Sequence, residues 1–235
     1  MNRRAQAIVM VLFGGAILKA SLTDVYLRYV KESLQPFLIA AGVLLLAAAA
    51  MTLYYEMRPG DSATDRHVHH EPQVGWLLIV PALGVLLIAP PALGSYAAGQ
   101  SGTALAAAQV ESEFAPLPPG DPVPLSLMEY ATRAVFDQGR TLDGRELRLT
   151  GFISPGPDGR PMLTRMTVAC CAADGRPIKI GLDGDVPVDA PVDTWIHAVG
   201  VYSSRVEKDP VNQAEVPYLR VTSWQQTTAP RRPYE

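Results

Sequence analysis

The sequence predicts an α-helical membrane region followed by a small β-barrel, and two observations lead to this fold class. The chain has 235 residues, 18% of them charged, and a net charge of −3, but the charges are unevenly distributed. The first hundred residues are mostly apolar, whereas most acidic and basic residues lie in the last hundred. In that polar part, short alternating apolar segments are separated by glycine, proline and aspartate turns, as in small barrels and sandwiches.

Three apolar stretches reach or approach the roughly 20 residues that cross a bilayer as a helix. They run from about 5 to 22, 36 to 55 and 75 to 95. The second and third contain no charged residue and lack the polar face that a soluble helix of this length normally has. We therefore predict three transmembrane helices. A cleaved signal peptide is the alternative for the first stretch, because Arg3 and Arg4 precede it.

The distribution of basic residues predicts the orientation in the membrane. Arg3 and Arg4 precede the first span, and no Lys or Arg occurs between the third span and Arg133. The positive-inside rule then favours a cytoplasmic N-terminus and an extracytoplasmic C-terminal domain.

The lipid bilayer is one expected partner. No basic domain or Arg-rich arm is present, which argues against nucleic acid as another.

The predicted organisation is a transmembrane region (1–98), a linker (99–120), an OB-like β domain (121–228) and a tail (229–235). Ser126 is the predicted cap of a helix over 127–138, with Glu129 completing a capping box. Five short strands follow, a number that matches an OB-like barrel, and Gly151 and Gly200 are expected at its bends. The predicted strands are 145–153, 162–169, 178–182, 194–203 and 217–224.

The two cysteines of the chain are adjacent, at Cys170 and Cys171. Neighbouring Cα atoms are about 3.8 Å apart, less than the roughly 4.4–6.8 Å of ordinary disulfides, so a bridge between them would be strained. In a regular strand the two side chains would also point to opposite faces. Both thiols can serve one ion only if the strand ends there, and Asp174-Gly175 predicts such a turn.

The side chains of Cys170, Cys171 and Asp174 are therefore the first candidate metal site, for zinc or another soft divalent metal. Asp174 would act either as an oxygen ligand or as a hydrogen-bonding partner of the ligands. Two thiolates are too few for a tetrahedral zinc site, and His197 is the single histidine of the domain that could add a ligand. The alternative is that the cysteines pack as small hydrophobic residues.

A second candidate metal site lies in the loop between the second and third spans, at His67, His69 and His70. Imidazoles beside Asp65 and Glu71 suit zinc, nickel or cobalt, whereas the alternative is a solvated loop without a ligand. On the predicted topology these histidines face the cytoplasm, opposite the thiols. The two groups cannot then form one site within a single subunit.

Motifs for catalysis are missing from the sequence, and we expect that the protein is not an enzyme. It contains no Gly-x-Ser-x-Gly elbow, phosphate-binding loop, dinucleotide-binding glycine motif or His-Glu-x-x-His. A thiol oxidoreductase is the one enzymatic alternative, but the pair is Cys-Cys rather than Cys-x-x-Cys.

With these residues in view, the chain resembles the YcgQ-like family of bacterial membrane proteins. The similarity is strongest over Arg165–Asp174 followed by Pro177, and also involves Tyr29-Val30, the His-rich loop and Pro90–Ser95. The resemblance implies N-terminal spans with a β-rich domain in the bacterial cell membrane. It also implies that the protein functions together with a separate multi-span permease. Some members of the family are linked to metal or zinc homeostasis.

These observations together predict an accessory integral-membrane subunit of a permease, in metal or small-solute transport. A three-span chain with Lys19 as its one intramembrane charge is poorly suited to transport on its own. One alternative is a membrane-tethered metal or thiol-redox sensor, and another is a structural barrel that binds a peptide or a sugar.

Overall fold

The computed structural model of the chain describes residues 3–57, 84, 90–107 and 114–235. The chain forms two compact units, Met1–Pro91 and Ala92–Glu235. Their boundary precedes residue 98, the predicted end of the membrane region. Residues 92–98 therefore belong to the same unit as the β domain.

Residues 3–57, which are most of the first unit's described residues, are largely helical. Helix α1 spans Arg3–Leu22 and helix α2 spans Gln35–Met57, with short 3-10 turns at Asp24–Arg28 and Glu32–Leu34 between them. Gly14 and Gly42 lie where the two helices meet, because a Cβ atom on Gly14 would be 3.0 Å from the Gly42 carbonyl oxygen. Small residues at such a contact allow close backbone approach, as in packed transmembrane helices.

One helical stretch in the described part of the chain, Glu32–Met57, is long and apolar enough to cross a membrane. Only 11% of its most apolar window is buried, so most of its side chains do not face a protein core. The apolar part of α1, Gln6–Leu22, is shorter than this criterion requires. Most of the third predicted span lies outside the described residues, so the structure supports one span rather than the three predicted.

In its described residues, 92–107 and 114–235, the second unit contains two α-helices and six strands. Helix α3 is Ser95–Gln100 and helix α4 is Leu127–Phe136, and a 3-10 turn lies at Ala104–Ala107. The strands are β1 (Val123–Pro124), β2 (Leu147–Pro155), β3 (Pro161–Thr167), β4 (Arg176–Gly184), β5 (Trp195–Lys208) and β6 (Glu215–Gln226). All five predicted strands overlap β2 to β6.

Strands β2 to β6 form a closed five-stranded barrel, which confirms the prediction of a small β-barrel. Neighbouring strands follow the order β2-β3-β4-β6-β5, and pairing of β2 with β5 closes the ring. The β4–β6 pair is parallel, whereas the other four pairs are antiparallel. The short strand β1 adds to β2 in parallel.

The barrel interior is apolar, and α4 packs against it. Alternate residues of β2, such as Leu147 and Leu149, are fully buried, as the period of two in a strand requires. The remaining interior residues include Ile153, Leu163, Ile178, Ile180, Leu182, Ile196, Ala198, Leu219 and Val221.

Helix α4 begins as predicted and ends two residues early. The Ser126 hydroxyl oxygen accepts a hydrogen bond from the Glu129 N–H at 3.0 Å, which confirms the cap. The helix stops at Phe136 because Gln138 and Gly139 both adopt positive φ angles, of 51° and 72°. On the buried face, the Tyr130 hydroxyl donates to the Tyr218 carbonyl oxygen at 2.6 Å.

The two glycines predicted at barrel bends both lie where strands approach closely. The β5–β6 register shifts between Val199 and Gly200, which is a bulge. A Cβ atom on Gly200 would lie 2.2 Å from the Arg220 carbonyl oxygen. A Cβ atom on Gly151 would lie 2.6 Å from the Thr164 carbonyl oxygen.

Residues 101–105, predicted as linker, instead pack against the barrel. Thr103, Ala104 and Leu105 are buried, and Ala104 and Leu105 join the barrel core. The physical reason is composition, because a segment of small uncharged residues can be buried at low cost once its backbone polar groups are bonded. The Asn212 side chain supplies one such bond to the Thr103 carbonyl oxygen.

The predicted tail is also ordered onto the domain. The backbone at Tyr234 pairs with Met166, and the Glu235 N–H donates to the Met166 carbonyl oxygen. The Glu235 side-chain oxygens accept the N–H groups of Leu127 and Met128 at the start of α4. A carboxylate is stabilising at a helix N-terminus.

Candidate functional site

Cys170 and Cys171 lie in the connection between β3 and β4, which we call the thiol loop (residues 168–175). Strand β3 ends at Thr167, and Ala172–Asp174 form a 3-10 turn before β4 begins at Arg176. The strand therefore ends before the two cysteines, as the turn signal Asp174-Gly175 predicts. The Cys170 and Cys171 side chains are then not held on opposite faces of a strand.

The Asp174 carboxylate organises the loop. Its Oδ1 accepts the Ala169 N–H at 2.7 Å. Its Oδ2 accepts the N–H groups of Cys170 and Cys171 at 2.8 and 3.2 Å. Three backbone donors on one carboxylate fix the peptides that carry both thiols. This arrangement corresponds to the hydrogen-bonding role offered for Asp174 in the sequence analysis rather than to that of a freely available oxygen ligand.

The two thiols lie side by side and are free. Their Sγ atoms are 3.6 Å apart, and both cysteines are unbridged. Cys170 is exposed and Cys171 is half-buried. The side-chain ligand atoms of Cys170, Cys171 and Asp174 all lie within 4.8 Å of one another. The structure thus brings together the first predicted set of metal ligands.

The sulfur separation defines which coordination angles fit. With metal–sulfur bonds of about 2.3 Å, as in zinc thiolates, a separation of 3.6 Å corresponds to a sulfur–metal–sulfur angle of about 103°. This angle suits a tetrahedral or a pyramidal centre. It does not suit a centre that needs its two sulfurs in a line.

The loop keeps the Cys170 thiol protonated at neutral pH. Hydrogen bonding to Asp174 is the largest cause that raises the pKa of the Cys170 thiol to about 11, and hydrogen bonding to Cys171 is the second. The single S–H proton can be given to only one of these partners at a time. The same Cys170 hydrogen bond, together with the backbone donors, holds the pKa of the Asp174 carboxyl well below its usual range. An ion bound here must therefore displace at least one thiol proton.

The base of the thiol loop rests on residues distant in the sequence. A Cβ atom on Gly175 would lie 2.4 Å from Leu93 Cδ1, so the Leu93 side chain packs directly against this glycine. The Leu93 N–H donates to the Tyr234 hydroxyl at 3.0 Å, and both residues pack around buried Met166. Sequence reasoning missed Leu93 and Tyr234, because neither carries a recognisable motif for this contact.

His197, the histidine that could have added a ligand to the thiols, does not lie beside them. His197 Nδ1 lies 2.8 Å from Thr150 Oγ1 on the neighbouring strand, and the cluster of ligand atoms around the thiols does not include it. His67, His69 and His70 lie outside the described residues.

A buried ion pair beside a cavity of about 190 Å³ is a second polar feature, which the sequence analysis did not identify. Lys179 Nζ lies 2.9 Å from Asp209 Oδ2 and donates to the Ser101 carbonyl oxygen at 2.8 Å. Asp209 also accepts the N–H groups of Thr103 and Val211. Because each charge already has several partners, we interpret the pair as structural.

Comparison with known proteins finds a family similarity over the part of the chain that contains the thiol loop. Residues 131–235 match the DUF1980 C-terminal domain family. The DUF1980 C-terminal domain match therefore includes all five barrel strands, the thiol loop and the ordered tail. No curated protein and no solved structure matches the chain.

Proposed function

We propose that the chain is an accessory membrane protein of a permease, whose barrel presents Cys170 and Cys171 to a soft ion. The observation that carries this proposal is the convergence of two free thiols with the Asp174 carboxylate, all within 4.8 Å of one another, on a loop that this carboxylate holds in shape. Soft thiolate ligands select thiophilic ions, and because Cys170 is exposed, an ion bound here could exchange with solvent or a partner.

The barrel suits a presenting role. We infer that it is OB-like, because it is a closed five-stranded barrel in which the third and fifth strands in sequence are the one parallel pair. The thiol loop connects the second and third of these strands and lies at their ends, where loops on a rigid barrel commonly carry function.

The helical unit suits an accessory rather than a transporting role. Helix α2 has no charged residue before Glu56, and Lys19 is the one charge near the end of the apolar part of α1. Ion pathways through membranes generally use ionisable groups, so a separate multi-span permease in the membrane would supply the route. The largely unburied surface of α2 is available to lipid or to helices of that partner.

Binding is tested on the full chain purified in detergent with its thiols reduced. Zinc and other soft divalent metals are added, free metal is removed, and bound metal is measured by elemental analysis. We expect about one ion per chain in the unmodified protein. The Cys170→Ser and Cys171→Ser variants should each lose most of it, because a single thiolate holds metal weakly.

The matched control is Asp158→Asn, which removes an exposed carboxylate from the β2–β3 turn and should leave metal content unchanged. Equal metal content in the double Cys170→Ser, Cys171→Ser variant would show that the ion binds elsewhere. The permease role is tested separately, by co-purification with a multi-span protein from native membranes. Recovery of the chain only by itself would contradict that part.

A thiol-redox sensor is less well supported by the geometry. Adjacent cysteines form strained disulfides, and the raised pKa of Cys170 keeps its reactive thiolate scarce at neutral pH. The structural-barrel alternative predicts that the double cysteine variant is fully active.

A further inference from the structure

We propose that the thiol loop is a two-sulfur chelate for a trivalent arsenic centre that keeps one substituent of its own. This inference rests on the proposed function and names the chemical class of ion for the same site. Three features of the loop support it: the number of free donor atoms, the angle they impose and their exposure.

The loop offers two free donor atoms, and both are sulfur. Each Asp174 oxygen already accepts at least one backbone N–H, so using it as a ligand would weaken the hydrogen bonds that shape the loop. Among the residues that the structure describes, the cluster contains no other ligand side chain. Zinc sites in proteins have three or four protein ligands, so zinc held by these two sulfurs would be incompletely coordinated, whereas a trivalent arsenic centre with one hydroxyl or carbon substituent is complete with two sulfurs.

The imposed angle fits the same class. Arsenic–sulfur bonds are similar in length to zinc–sulfur bonds, so the 3.6 Å sulfur separation again gives an angle of about 103°. Trivalent arsenic is pyramidal, with angles close to this value, because its lone pair occupies the fourth position. The exposed Cys170 side chain leaves room for that lone pair and for the third substituent.

The reaction is a condensation with no change of oxidation state. With an arsenoxide, two arsenic–sulfur bonds form and the arsenic–oxygen double bond breaks. The oxygen leaves as water with the two thiol protons. With arsenite, two hydroxyl groups leave as two water molecules and the third stays on arsenic. Neither route needs an oxidant or a reductant.

The experiment uses the full chain in detergent, reduced and then freed of reductant, with phenylarsine oxide and arsenite as separate probes. Intact-mass spectrometry should show one phenylarsenic group per chain, with both thiols protected from N-ethylmaleimide. The chain has no other cysteine, so the assignment is unambiguous. Cys170→Ser and Cys171→Ser should each lower the apparent affinity by about a hundredfold, because the chelate becomes a single bond. The remaining thiol in each variant should still react with N-ethylmaleimide.

Competition separates this inference from the proposed function. If zinc binds through both cysteines but neither arsenical forms a two-thiol adduct, the arsenic inference is wrong and the soft-ion proposal stands. If neither zinc nor an arsenical depends on the cysteines, both are wrong. In the competition experiment, equimolar zinc and phenylarsine oxide are added together. If phenylarsine oxide displaces the zinc, the inference is supported. If zinc prevents phenylarsine oxide from reacting with the thiols, the inference is contradicted.

Discussion

At the thiol loop, a single carboxylate receives backbone N–H groups from Ala169, Cys170 and Cys171. The negative charge of Asp174 next to Cys170 also raises the pKa of this thiol, so that Cys170 is protonated before it binds a ligand. Asp174 is therefore a positioning residue that acts on the two cysteines through geometry and through charge.

Replacing Asp174 with asparagine should make Cys170 more acidic. Loss of the carboxylate removes the largest cause of its raised pKa, about 11, which should fall towards the ordinary value of about 8.5. The measurement is a pH titration of ultraviolet thiolate absorbance in a Cys171→Ser background, where Cys170 is the one remaining thiol. Asp158→Asn in the same background is the control, and coincident titration curves for all three proteins would contradict the assigned role.

The Lys179–Asp209 pair illustrates a different residue-scale effect. Asp209 is 1% exposed and Lys179 is 8% exposed, so removing one partner leaves the other charge poorly solvated. We expect Asp209→Ala to lower the free energy of unfolding by about 3 kcal/mol, the lower end for a buried pair, because the pair borders a cavity.

The measurement is urea unfolding followed by tryptophan fluorescence, since Trp195 and Trp224 both lie in the barrel. The Lys208–Glu215 pair is the matched control, because both side chains are largely exposed. Lys208→Ala should cost less than about 1 kcal/mol. Similar losses for the two variants would show that the buried pair contributes no more than a surface pair.

At the scale of the elements, the β5–β6 bulge at Gly200 bends β5 at a point where it approaches β6 closely. A side chain there would collide with the backbone of Arg220, which cannot move without disturbing the β5–β6 pairing. Gly200→Ala should therefore destabilise the domain by about 1–3 kcal/mol.

Thermal unfolding of the full chain, followed by circular dichroism in the near ultraviolet, measures this loss. Gly99→Ala is the control, because a Cβ atom on that helical glycine would have no atom within 4 Å. Alanine is also the better helix former, so this control should be neutral or slightly stabilising. Equal melting temperatures for Gly200→Ala and the unmodified protein would show that the close approach is not required.

At the scale of the whole molecule, the location of the barrel relative to the membrane decides what the thiols can meet. The distribution of basic residues predicts an extracytoplasmic barrel. Because Cys170 is exposed, a membrane-impermeant maleimide should label it in intact cells. The Cys170→Ser variant controls for slower labelling of half-buried Cys171. Labelling only after the cells are opened would place the barrel in the cytoplasm.

Much of the fold follows from local patterns and could be predicted from the sequence. The Ser126 cap depends on a hydroxyl three residues from its donor, and the first halves of β2 and β5 show the alternation of buried side chains. The position of the thiols at a strand end follows from Asp174-Gly175, a turn signal next to them in the chain. In each case the interacting groups are close in sequence, so their identity restricts the local conformation directly.

The sequence by itself determined an apolar helical N-terminal part, a five-stranded barrel and an adjacent thiol pair at the end of a strand. Only the tertiary structure decided that β2 pairs with β5 to close the barrel, that Leu93 and Tyr234 support the thiol loop, and that Lys179 meets Asp209. These contacts join residues 30 to 141 positions apart. The physical reason is that such contacts depend on how the elements pack together, and no local preference for helix, strand or turn encodes that packing.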